Sequence, residues 1–259
     1  MAGMSSRLNL TRFNLLSSDS IREKTVVSFD GIGIGSAVQG AQVINIEIGA
    51  AGIETRTLDK VFRAGNYFRS RRNTTRPVTV TVELPLDRDT YADNVRRVIE
   101  WASSSEPKAL MLEVYPGMEL YAVLTDVSSF TQKNWWEPVT LTFTANDPYF
   151  QDIALTHENV GTQFTVAGDA PVSLKITHVV SSTLTQPKWT IDNGDYIKLT
   201  GTYSSGTIVI DMEHFTVTRN GTPIAADIAL TSRFQETPTG SHIVTGPAGG
   251  LVEWRERWL

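Results

Sequence analysis

Few side chains in this chain have the chemistry for catalysis, and their spacing does not assemble a catalytic set. His157, His178, His214 and His242 are the histidines, and none pairs with another at the one-turn spacing of a helical zinc site. Cysteine is absent, which excludes disulfides, thiolate nucleophiles and Cys-based zinc or iron–sulfur centres. His178 falls in an alternating apolar segment, residues 172–180, and reads as a half-buried structural residue rather than a ligand. No GxSxG motif is present. Gly31-Ile32-Gly33-Ile34-Gly35 has the composition of a phosphate cradle, but a cradle needs a following helix and usually a Lys-Ser/Thr pair. Here residues 36–42 lead into a strand, so a turn is the preferred reading. Asp192, Asp195, Asp211 and Glu213 could hold calcium or serve a glycosidase. Asp192-Asn193-Gly194-Asp195 is more simply a hairpin turn, because Asn-Gly tolerates positive φ. No catalytic residue, metal or cofactor is expected.

Two features point to surfaces instead. Arg69, Arg71, Arg72 and Arg76, with Arg63 just before and Tyr67 and Phe68 beside them, form the sharpest charge run. The plainest reading is a solvated loop leading into the next strand. An interface with an acidic partner or neighbouring subunit comes second. Nucleic-acid contact comes third, since the chain carries a net charge of −5 and one short run neutralises few phosphates. Trp135 and Trp136 would point to opposite faces if both lie in a strand, so at most one can reach the domain core. The other must pack on the helix, a second domain or another chain. Trp189, Tyr196 and Tyr203 are candidates for a carbohydrate-stacking platform, although they are scattered in sequence and Trp189 reads equally well as a core residue.

The elements that carry these residues are mostly strands. The chain has 259 residues, 41% hydrophobic and 20% charged, an ordinary globular composition. No apolar run is long enough to span a membrane, and no secretory h-region is expected at the N-terminus. Period-two alternation marks strands at Ile44, Ile46 and Ile48; at Val78, Val80, Val82 and Leu84; and at Val139, Leu141, Phe143 and Ala145. Leu110, Leu112 and Val114 lead into a Tyr115-Pro116-Gly117 turn, and Leu120, Ala122 and Leu124 form the return strand. A helix is expected at about residues 89–103, roughly four turns long. Tyr91, Val95, Val98, Ile99 and Ala102 would line its buried face, with Asp89 or Thr90 as cap. After Asn146-Asp147-Pro148 no helical period recurs. Short strands with Gly-rich turns, including Arg219-Asn220-Gly221-Thr222, suggest a β-sandwich. A domain boundary is placed near 147–170, giving domains 1–150 and 151–259.

The order of these elements resembles the siphophage distal tail protein (Dit) family. The arginine segment feeds a strand, a helix and a hairpin follow, and residues 136–149 match a W-x-x-V-x-L-x-F-x-A-x-D-P-aromatic ending. In the second half, Ile191-Asp192-Asn193, Ile208-Val209-Ile210-Asp211, Asn220-Gly221 and Trp254-Arg255-Glu256-Arg257-Trp258 match the family's tail domain. Residues 195–200 are looser than the family pattern. The resemblance covers roughly residues 25–259.

The resemblance implies a mainly β fold with one helix: an N-terminal split-barrel-like β domain and a C-terminal galectin-like β-sandwich. It implies a structural virion protein rather than an enzyme, located at the distal tip of a non-contractile phage tail. There a homohexamer would form a ring joining the tail tube protein to the tail-tip hub protein, with DNA passing through the lumen. The outer sandwich would carry a receptor-binding protein or touch the host. Arg69, Arg71, Arg72, Arg76, Trp135 and Trp136 are the expected inter-subunit or partner surface. The alternative is a lectin-like host-adsorption module using Trp189, Tyr196 and Tyr203.

Overall fold

The computed structural model describes residues 27–59, 66–128, 136–192 and 194–259, with residues 58, 59, 66–69 and 71 described by backbone alone. Readings that rest on the first 26 residues, on Arg63, Trp135 or Asn193, or on the side chains of Tyr67, Phe68, Arg69 and Arg71 lie outside the described residues.

The first part runs β1 (Val27–Phe29), β2 (Ile32–Gly33), a four-residue helix α1 (Ile34–Ala37), β3 (Gln42–Ile48), β4 (Ile53–Asp59), β5 (Asn66–Asn73), β6 (Arg76–Glu83), α2 (Tyr91–Ala102), β7 (Lys108–Leu112), β8 (Met118–Val127), β9 (Val139–Ala145) and β10 (Phe150–Asp152). An antiparallel sheet in the order β2-β1-β7-β8-β9-β6-β3 carries the first core, with β10 pairing β8 off that path. Its centre follows from strict alternation. Val78, Val80 and Val82 sit opposite Phe143, Leu141 and Val139, and all six are buried. Each such side chain stabilises the fold by about 1.5–3 kcal/mol on leaving water. Helix α2 lays Tyr91, Val95, Val98 and Ala102 into the same core.

Several local expectations need correction. Helix α2 is about three turns rather than four. Thr90 holds the cap position at φ −101° and ψ −8° without a side-chain cap bond. Its hydroxyl donates instead to Asp87 Oδ2 at 2.9 Å. Ile44 is exposed because a bulge between Val43 and Asn45 inserts one residue and resets the alternation, leaving Ile46 and Ile48 on the core side. Val114 lies beyond β7 and is exposed. Gly117 at φ 83° closes the expected turn after Pro116. In the glycine-rich segment, Asp30 and Gly31 make the β1–β2 turn with φ of 53° and 76°. The helix that follows has only four residues.

The second part runs β11 (Thr156–Asn159), β12 (Gln163–Val166), β13 (Lys175–Val180), β14 (Leu184–Thr185), β15 (Lys188–Ile191), β16 (Tyr196–Lys198), β17 (Thr202–Tyr203), β18 (Gly206–Asp211), β19 (Thr216–Arg219), β20 (Thr222–Pro223), a 3-10 turn (Ala225–Asp227), β21 (Gly240–Thr245), β22 (Gly250–Trp254) and β23 (Arg257–Trp258). A sheet β11-β22-β13-β18-β19-β20 faces a sheet β12-β21-β15-β16. Ile176, Ile208 and Val252 from the first and Phe164, Trp189 and Ile197 from the second share one core, which makes a β-sandwich. The fold is mainly β, as the residue pattern implied. Among the described residues no helix is long and apolar enough to cross a membrane.

Candidate functional site

Two places stand out: an exposed two-stranded arm, and the seam where the chain end returns to the first sheet. Among the described residues, strands β4 and β5 pair only with each other, from Ile53 opposite Asn73 to Asp59 opposite Asn66. The arm continues the β3–β6 ladder. Gly49 N–H donates to Pro77 O at 2.9 Å, and Gly52 N–H donates to Thr75 O at 2.9 Å. Glycine is required at the crossing, since a Cβ at Gly49 would lie 2.6 Å from the Pro77 ring. None of the arm's described residues joins either core. Ile53 is 57% exposed. An isolated hairpin of this kind is marginal in water, and an unpaired ladder edge is a template on which another strand can pair.

The arginine run lies on this arm, not on a solvated loop. Arg72 pairs with Glu54 at 2.5 Å, and Arg56 pairs with the same carboxylate at 3.2 Å. The Arg72 and Arg56 guanidiniums hold the Glu54 carboxyl below its usual range. Charge is therefore partly neutralised within the arm, which weakens the phosphate-contact reading. Arg76 is elsewhere. It is 5% exposed, with its guanidinium 5.2 Å above the Phe150 ring. Burial pushes its pKa down against the attraction of Tyr115 and Asp169. The structure thus spends Arg76 inside the chain rather than on an interface. Trp136 is 56% exposed and remains a surface residue.

The seam is built from the two sequence signatures, which turn out to touch. Strand β23 pairs with β10, Phe150 opposite Trp258, and β10 pairs with β8. Arg257 bonds Asp147 at 2.5 Å, Glu236 at 2.8 Å and the Pro171 carbonyl at 2.9 Å. Its guanidinium stacks 4.6 Å over Tyr149. Burial works against its charge, and Asp147 and Glu236 more than offset that, raising its pKa. Arg255 pairs with Glu119 of β8. Trp258 Nε1 donates to Asp152 at 3.0 Å. Asn73, the last residue of the arm, donates to the Tyr149 hydroxyl at 3.1 Å.

The other expected sites come apart. Trp189 is 1% exposed and Tyr203 2% exposed, so neither can stack a sugar. Tyr196 is half-buried, with the Lys188 ammonium 3.9 Å over its ring. The four carboxylates divide between two hairpins of different sheets. Asp192 faces the His242 ring at 2.6 Å and accepts from Ile243 N–H at 2.8 Å. Burial alone would raise its pKa, but those bonds hold it low. Asp195 pairs with Arg233 at 3.3 Å. Asp211 accepts from the Glu213 and His214 amides at 3.0 Å, closing its own turn. Among the described residues no group of three or more His, Asp or Glu side chains could hold a metal. His178 is 3% exposed, more buried than its pattern suggested, with burial pushing its pKa down. Sequence reasoning passed over Asn73, Gly168 and Glu236 at the seam. Only the D-P-aromatic and W-x-x-R-W signatures pointed there.

Residues 167–258 match the family model described as siphovirus-type tail component, C-terminal domain. No curated protein matches the chain. Among solved structures, the fold is similar to the Dit (gp 19.1) protein of phage SPP1, presented as a paradigm of the hub adsorption apparatus in phages infecting Gram-positive bacteria. That likeness has a TM-score of 0.73 at 14% identity and covers 91% of this chain and 99% of that one. A chain of the phage P2 baseplate, in its activated conformation with Ca, is similar at a TM-score of 0.47 and 8% identity, covering 90% of this chain and 97% of that one. The second likeness is too loose to add to the first. The resemblance carried by the sequence signatures holds: residues 167–258 match the tail-component model, and nearly the whole chain has the fold of SPP1 Dit.

Proposed function

We propose that this protein is a distal tail protein, a structural hub component at the tip of a long non-contractile phage tail. The observation that carries the reading is the siphovirus tail-component match over residues 167–258. The exposed arm supports its finer part. In this reading residues 1–150 form the ring, residues 151–259 form an outer galectin-like sandwich, and the protomers close as a homohexamer. A heterologous ring satisfies an arm on every protomer where a monomer leaves it bare. The β5 segment that carries Arg69, Arg71 and Arg72, together with Trp136, is in this reading offered to neighbours, the tail tube protein or the tail-tip hub protein, and a receptor-binding protein docks on the outer sandwich. The lumen passes DNA, and the role is mechanical rather than catalytic. Burial of Trp189 and Tyr203 favours this reading over the lectin-like alternative.

Light scattering of the purified protein tests assembly. The reading expects about six times the protomer mass of 28.6 kDa. A monomer that persists at high concentration, and in the presence of the tube protein, contradicts it.

A further inference from the structure

We propose that the last five residues, 255–259, are a strap that locks the two cores into one cooperative unit, seated in a cradle formed by residues 168–171. The inference concerns the single chain and stands whether or not the ring reading holds.

The strap is attached on both sides. Toward the first core, β23 extends the ladder through β10 to β8, and Asp152 N–H donates to the Glu256 carbonyl at 3.0 Å. Toward the sandwich, the Arg257 carbonyl accepts from the Asp169 and Ala170 amides at 3.1 and 3.2 Å. Leu259 N–H donates to Asp169 Oδ1 at 2.7 Å. Glu256 is 7% exposed, yet both its oxygens are used. One accepts from Trp254 Nε1 and the other from Gly168 N–H, each at 2.8 Å.

Gly168 makes this seating possible. A Cβ there would lie 2.4 Å from the Arg257 carbonyl oxygen and 2.9 Å from its nitrogen, both backbone atoms that cannot swing aside. The cradle thus accepts the strap only because residue 168 has no side chain. Five residues that are held from both sides, with a half-buried arginine and a buried glutamate among them, cannot detach without stranding polar groups. Opening one core must then release the other.

The test uses the full chain. Hydrogen exchange should protect the Asp152 and Ala170 amides, which bond the strap from its two sides, to within about tenfold of the core amides of Val80 and Ile210. Exchange about a thousandfold faster at the strap would overturn the proposal. Calorimetry should show one transition for the wild type and two for Gly168→Ala, which alters no charge and keeps both cores. A wild type that already melts in two steps, or a Gly168→Ala variant that keeps the wild-type single step and midpoint, also overturns it. If Gly168→Ala does not fold, the wild-type exchange result alone decides.

Discussion

The arm and the strap invert the usual relation between ladder length and rigidity. Strands β4 and β5 pair over seven residue positions and bury almost nothing among their described side chains. Strands β10 and β23 pair over two positions, yet Arg257 of β23 keeps only 11% of its side chain exposed and is held by two carboxylates and a carbonyl. Backbone pairs exchange water bonds for protein bonds at small net gain. What fixes a segment is the side chains it removes from water and the penalty for leaving them unpaired. The contrast fits the strap proposed for the single chain and the partner surface proposed for the arm.

The largest expected effect breaks the strap. Arg257→Met should lower unfolding stability by about 2–4 kcal/mol in urea denaturation, less than a fully buried pair would lose because Asp147 and Glu236 keep some solvent. A loss no larger than that of an arm variant would erase the contrast.

Acid should separate the sandwich core from the arm next. His178 is buried in the sandwich, and its folded pKa lies below the ordinary 6.5. The unfolded chain then binds more protons, so stability is complete above about pH 6.5 and falls as the pH drops toward the folded value. Thermal midpoints of the wild type should decline over that window, and His178→Leu should flatten the decline. Glu54 on the arm has its pKa below 4.5, so its pairs with Arg72 and Arg56 contribute above that value and fade only at lower pH. A carboxyl NMR titration of Glu54 checks the direction.

The smallest expected effect sharpens the comparison from the other side. Ile53→Ser and Arg72→Ala should each change stability by no more than about 0.5 kcal/mol. In the proposed reading they weaken assembly instead, visible as a shift toward protomer in sedimentation at equal concentration. A large loss of stability with assembly intact would show that the arm serves the fold of its own chain.

What could be seen in the sequence followed from burial with a period. Strand β9 and helix α2 each bury one face completely, so Val139, Leu141, Phe143 and Ala145 and then Tyr91, Val95, Val98 and Ala102 announce themselves. Residues 66–73 show no apolar period in the sequence and read as a loop, and the arm's described side chains join neither core. Trp189 could have been assigned better. It shares its alternating face with Ile191, and both are buried. The seam was half visible. Both signatures were legible, but Arg257 meets Asp147 across 110 residues, and no local pattern states which acid a given arginine will find.

Negative-stain microscopy of the purified protein, alone and with its tail tube protein, tests the central claim that protomers complete one another sideways. Six-fold annuli with an open centre are expected, lost on cutting the arm back to its base. Compact particles without a hole in both preparations would contradict it.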